Sequence, residues 1–181
     1  MVSYTQRMKE AVHLFQLGDR VVYGIHGVCQ IVDEEERHID RKKIRYFVLE
    51  PVDQPGARFF VPSENPAALA KLRPVISAEE LEALLSSDKI REDRWIADEN
   101  RRKQRYRELI NSGDREELLQ MVSTLHHHKH EQLSQGRKFH LCDENFLRDA
   151  EKLLNSEFSM VLQIQPSEVS RYIKEALMEE R

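Results

Sequence analysis

The chain is poor in the residues that crosslink or stiffen a fold. Its two cysteines, Cys29 and Cys142, lie far apart in 181 residues, so no disulfide framework is available and a reducing cytoplasm suits them. Tryptophan occurs once, at position 95, and glycine and proline six times each, which excludes collagen-like or low-complexity segments. No apolar run approaches the roughly 18 to 20 residues that span a bilayer. The N-terminus lacks the basic start, apolar core and small-residue cleavage site of a secretory signal. Cations are not in excess either: 28 lysines and arginines against 32 aspartates and glutamates leave a net charge of −4. That balance excludes a protein that coats nucleic acid by charge alone, so any DNA contact must come from a local patch or a tethering partner. Walker loops, dinucleotide glycine fingerprints, nucleophile elbows and HExxH motifs are all missing, and the chain reads as a non-enzyme without cofactor.

What is present falls into two halves with different periodicities. Residues 1–14 read as an N-terminal extension, with a helical turn at Met8–Val12 as the other option. Residues 15–75 read as short strands punctuated by turns. Gly18-Asp19 is a turn signal, Arg20–Tyr23 a short β-rich run, and Gly24 and Gly27 bracket a reversal. Val28–Ile39 is a long strand with a charged middle, Asp40–Lys43 a polar hairpin turn, and Ile44–Leu49 the return strand before Pro51. Arg58–Val61 follows, ended by Pro62, and Leu72–Ile76 leads out. The expected result is a small SH3-like or Tudor-like β-barrel.

Residues 76–181 switch to a spacing of three and four, the mark of an all-α bundle, making the whole chain α+β with two domains. Ser77 with Glu80 is a capping box ahead of Leu81, Leu84 and Leu85. A second helix is expected over about Glu92–Asn111, stopped by Ser112-Gly113. Asp114 starts a third helix, Asp143 caps a fourth, and Pro166 opens the last.

Three groups of side chains could carry chemistry. Arg101, Arg102, Lys103, Arg105 and Arg107 make five of seven consecutive residues basic, with Trp95 upstream. On one continuous helix, Trp95, Arg102, Tyr106 and Leu109 fall within about 40° of one another. The arginines could contact phosphates and Trp95 act as a wedge; equally, Trp95 could be core and the arginines a solvated, ion-paired face. His126 and His130 have metal-compatible i, i+4 spacing, but no Cys or carboxylate pattern completes a site and Lys129 repels a cation, so no metal is assigned. Cys142 beside His140 resembles a thiol–imidazole pair only in composition; a structural cysteine is the simpler assignment. Arg37, His38, Ile39, Tyr46, Phe47 and Phe60 cluster around the long hairpin, where aromatics and arginine suit a protein interface; alternate residues among them must instead be core.

The stretch Phe15–Ile31, with Tyr46–Leu49, Val61-Pro62 and Leu72–Ile76, resembles the opening domain of the CarD-like bacterial regulators, shared with transcription-repair coupling factors. Leu109–Asp114 and Ala150–Leu154 resemble that family's helical domain. The resemblance implies a transcription regulator whose first domain docks on the β subunit of RNA polymerase. Its helical domain would contact promoter DNA in the minor groove at the upstream edge of the melted region and modulate open-complex stability. It implies no membrane, a monomer on polymerase, and a cytoplasmic, nucleoid-associated location. Arg37 matches the polymerase-facing arginine by ungapped count from Phe15, and Arg101 and Arg102 match the DNA-facing pair by count back from Ser112–Asp114. The tryptophan departs from the pattern: Glu99 holds its place and Trp95 lies four residues earlier. A different class of function remains open, a protein-interaction module whose bundle is structural or dimerising and makes no DNA contact.

Overall fold

The computed structural model describes residues 15–178, so the expected extension at 1–14 lies outside the described residues. The chain divides into two compact units, with the boundary between Val75 and Ile76. The first is a five-stranded antiparallel sheet: β1 (Arg20–Tyr23), β2 (Val28–Ile39), β3 (Lys42–Pro51), β4 (Phe59–Pro62) and β5 (Leu72–Pro74), in the order β4-β3-β2-β1-β5. A short helix, α1 (Pro66–Leu69), is capped by the Asn65 side chain and precedes β5. The reversal after β1 is a 3-10 turn over Gly24–His26 in which Gly24 and Gly27 take positive φ. The β2–β3 hairpin turns through Asp40 and Arg41, both at positive φ, the two-residue geometry whose twist matches its flanking strands.

The expected barrel does not close. Among the described residues β4 and β5 form the two edges and no ladder joins them. Each is only three or four residues long and ends in proline, Pro62 or Pro74, which has no N–H to extend a ladder. A bulge between Ile31 and Asp33 shifts the β2 register. Ile31, Phe47, Leu49 and Val61 lie on one side with Val21, Cys29, Leu69 and Leu72 as the core. Burial, reinforced by Asp53, raises the Cys29 thiol to about 11.

The second unit holds α2 (Ala78–Leu85), α3 (Asp88–Arg91), α4 (Glu99–Ser112), α5 (Arg115–Ser134), α6 (Leu141–Leu162) and α7 (Pro166–Met178). The Ser77–Glu80 capping box forms as the sequence requires. Gly113, in the left-handed conformation, ends α4, and the side chain of the next residue, Asp114, caps α5. α5 is the hub: every residue from Leu118 to Leu125 is buried, so its middle is enclosed on all sides rather than along one stripe. Gln120 satisfies itself on the Lys89 carbonyl and Thr124 accepts from the Arg94 N–H. Leu81, Ile90, Leu109, Leu147, Leu154, Phe158 and Ile173 pack around it. Glu157, 1% exposed, accepts from the Ile76 N–H and pairs with Arg115 at 2.9 Å, fixing the first residue of this unit and the start of α5 to α6.

Two expectations about the helices are corrected. The segment 92–98 is not helical; α4 begins at Glu99, capped by the Asp98 side chain on the Arg101 N–H. Asp143 does not cap α6, whose N-cap is His140 without a side-chain cap bond; Asp143 is buried three residues in.

Candidate functional site

In the sheet unit, the ladder sorts the hairpin residues onto two faces. Directly opposed residues share a face and alternate along the strand. The pairs Glu35↔Tyr46, Arg37↔Ile44, Ile39↔Lys42 and Val48↔Phe60 place Arg37, Ile39, Tyr46 and Phe60 together. The Arg37 guanidinium stands 3.7 Å from the Phe60 ring centroid and 6.0 Å from that of Tyr46, and Glu35 holds it at 2.8 Å. An arginine spread over aromatic faces keeps its charge while its plane is pre-ordered, which suits a protein partner better than bare solvent. His38 and Phe47 fall on the other face. His38 is exposed there, whereas Phe47 is 5% exposed and part of the core. The expectation that Phe47 meets a partner is therefore replaced: it belongs to the core cluster with Ile31, Leu49 and Val61.

In the helical unit, the basic run of α4 is split by burial. Arg102 is 5% exposed and makes a bidentate bridge to Asp143, Nε to Oδ1 at 2.9 Å and Nη2 to Oδ2 at 3.0 Å. Its Nη1 donates to the carbonyls of Ile96 and Ala97 at 2.7 and 3.3 Å, and its guanidinium lies over the Trp95 ring, 4.2 Å from the centroid. Desolvation works against the Arg102 charge, but the hydrogen bond and charge of Asp143 outweigh it and its pKa stands raised. The expectation of a phosphate contact from Arg102 is corrected: its donors already meet Asp143 and the 96–97 carbonyls.

Trp95 sits in the non-helical segment and still reaches Arg102, by folding back. Its ring stacks on His128 of α5, 3.5 Å between centroids at 17°, and it is half-buried against the helical core. Burial pulls the His128 pKa below its usual value. Glu131, Asp143 and Asp93 oppose that and Arg102 adds to it. His126 contacts Glu151 at 2.9 Å and His130 is exposed.

Arg101, Arg105 and Arg107 are exposed and Lys103 half-buried. At 100° per residue, Arg101 and Arg105 flank the buried face of α4 on one side and Lys103 and Arg107 on the other. Lys103 pairs with Glu99, and Arg105 with Glu117 at 3.2 Å and Glu108 at 3.7 Å. Such surface pairs are worth about 0 to 1 kcal/mol each, so a phosphate can displace the carboxylate. Arg101 and Arg107 make no ion pair among the described residues.

The comparisons with known proteins match both units. Residues 15–76 match the family model described as CarD-like/TRCF RID domain, and residues 80–174 match the one described as CarD, C-terminal domain. Against curated protein sequences the chain has no match.

Two outcomes follow from the buried cluster. Asp143→Ala strands the Arg102 charge and should lower stability by about 3 to 5 kcal/mol in urea unfolding, while Arg102→Met with Asp143→Leu should recover most of that. A parent-like Asp143→Ala would show the bridge to be dispensable. His128 gives a pH signature. The unfolded chain takes its proton near the ordinary 6.5, whereas the folded site resists it. Stability is therefore intact above that pH and falls as pH drops through it. His128→Phe, which keeps a ring against Trp95, should flatten the urea midpoint between pH 7.5 and pH 5 relative to the parent; equal slopes would remove His128 as the cause.

Proposed function

The chain belongs to the CarD-like family of RNA polymerase-interacting transcription factors, and on that footing we propose that it regulates initiation from two surfaces. The sheet unit docks on the β subunit of RNA polymerase through the face carrying Arg37, Ile39, Tyr46 and Phe60, with His38 at the rim. The helical unit contacts promoter DNA at the upstream edge of the melted region through Arg101, Lys103, Arg105 and Arg107 and modulates open-complex stability. The protein acts as a bound monomer and a regulator rather than a catalyst, without cofactor. Among the described residues no helix is long and apolar enough to cross a membrane.

The observation that carries the reading is the pre-ordered Arg37 on Phe60 and Tyr46, on the sheet face opposite the one that carries Phe47, Leu49 and Val61. The charge balance supports the division of labour. A chain of net charge −4 binds free DNA weakly. Docked on polymerase, its DNA contact becomes intramolecular, at effective concentrations of about millimolar. A DNA contact worth only about 1.4 kcal/mol then shifts the closed–open equilibrium about tenfold.

Arg37→Glu in the full chain should weaken binding to RNA polymerase about tenfold or more, since reversal leaves charge mismatched at the contact. Parent-like affinity would place the docking surface elsewhere. Arg101→Ala with Arg107→Ala should leave polymerase binding intact, shrink the effect on open-complex lifetime, and reduce the slope of its log–log salt dependence by about 1 to 2. An unchanged slope would mean that α4 makes no phosphate contact and would favour the interaction-module reading.

A further inference from the structure

The middle of α5 is buried, but the cover over one of its faces is loosely packed. Glu117, Gln120, Met121 and Thr124 follow the three-and-four spacing of a single helix face. They meet Arg105, Tyr106 and Leu109 of α4, and Arg94 and Ile96 of the preceding segment, around a cleft of about 270 Å³. Interiors hold few voids larger than a water, so a space of this size is a departure. A cavity of roughly 150 Å³ holds a benzene ring, so this one has room for two fused rings. It falls just short of the roughly 300 to 1,000 Å³ of sites for drug-sized ligands, which points to a small occupant.

The walls divide by depth. Tyr106, Leu109 and Met121 are buried and Ile96 half-buried, and they give the cleft an apolar interior. Gln120 and Thr124 are already used, on the Lys89 carbonyl and the Arg94 N–H. The Tyr106 hydroxyl is buried with no hydrogen-bond partner among the described residues. Burial, then the charge of Asp143, raises its pKa and keeps it a neutral phenol. An unfilled space and an unpaired buried donor in one place are both costly, and neither serves the fold. Arg94 and Arg105 are exposed and Glu117 half-buried, so the charged groups lie at the mouth, two cations against one anion. Arg94 is paired with Glu92 at 3.1 Å. Arg105 donates to both Glu117 oxygens through Nη2 alone, at 3.2 and 3.3 Å. Its Nη1 reaches Glu108 only at 3.7 Å, and its Nε makes no hydrogen bond among the described residues. The guanidinium fork that takes a carboxylate on two nitrogens is therefore not filled.

We propose that this cleft binds a small organic acid with a two-ring apolar body, the body against Ile96, Tyr106, Leu109 and Met121 and the carboxylate on Arg105, and that such an acid is an effector that withdraws Arg105 from promoter DNA. The effector role rests on the reading that α4 contacts DNA upstream of the bubble. Acid and phosphate compete for one guanidinium, so by linkage each weakens the binding of the other. A neutral molecule of the same shape enters the cleft but leaves Arg105 to the DNA.

The probes are indole-3-acetate and its neutral isostere indole-3-acetamide, titrated into the full chain carrying carbon-13 methionine methyls. Both should shift the Met121 methyl saturably, through the ring current, and leave Met160 in place. Arg105→Gln should weaken the acetate about threefold to fivefold, the range for one exposed charge contact, and leave the acetamide unchanged. Glu117→Gln removes the competing carboxylate and should tighten the acetate by a similar factor. Ile96→Trp, which fills the cleft from its half-buried edge, should abolish binding of both at an unchanged melting temperature. With RNA polymerase holoenzyme on a promoter fragment, saturating indole-3-acetate should cut the parent chain's effect on open-complex lifetime about twofold, whereas the acetamide should not, and the Ile96→Trp chain should ignore both. A Met121 methyl unmoved at about 10 mM acetate, or acetate binding indifferent to Arg105→Gln, would overturn the site. Binding that depends on Arg105 but leaves lifetime unchanged would overturn the effector role alone. A parent chain that binds polymerase yet has no effect on lifetime without acid would remove the DNA-contact reading and the effector role together, while the Met121 titration still decides the site.

Discussion

The starts of α4 and α6 are held together by one buried ion pair. Arg102 and Asp143 are 5% and 2% exposed, and the fork of the guanidinium matches the carboxylate on both oxygens. A buried pair of this kind is weak evidence for net stability, because desolving two charges nearly offsets their attraction. Its value here is geometric. It leaves few other arrangements for the starts of α4 and α6, because separating the partners would leave two unpaired charges out of water. Arg102 uses its remaining donors on the Ile96 and Ala97 carbonyls, so a segment with no helical hydrogen bonds of its own is ordered too. Trp95 lies under the Arg102 guanidinium and stacks in turn on His128.

That arrangement separates what is held from what is offered. One arginine in the basic run is buried and structural, while its neighbours are at the surface, Lys103 and Arg105 in ion pairs and Arg101 and Arg107 outside them, so the run is neither wholly a solvated face nor wholly a binding patch. The hairpin of the sheet unit shows the same division. Strand alternation turns Phe47 into the core and leaves Arg37, Tyr46 and Phe60 on the other face, where the guanidinium and the rings order one another. Both surfaces are thus built on regular elements rather than loops, which keeps their charges in fixed register.

Much of the fold is readable from local rules. The long strand Val28–Ile39, the Ser77–Glu80 box, the Gly113 stop, the Asp114 cap and Pro166 at the start of the last helix are all short-range devices, each fixed by a few neighbouring residues. Reading failed where a long-range partner outbid a local preference. Asp143 has the composition of a helix cap, but a buried arginine 41 residues away claims its carboxylate. The segment 92–98 carries helix-compatible residues, yet its carbonyls are worth more on Arg102 than in a helical ladder. The barrel failed to close because the terminal strands are too short and end in proline.

The sequence by itself determined the two-part α+β organisation, the family, and the residue types available for contact, because turn chemistry, hydrophobic period and motif spacing act over a few residues. Only the tertiary structure decided which of those residues are available. Arg101 and Arg102 are adjacent and identical in composition, and 100° of helical rotation puts one in solvent and the other in the core. Phe60 and Phe47 differ only in which face of the sheet their register gives them.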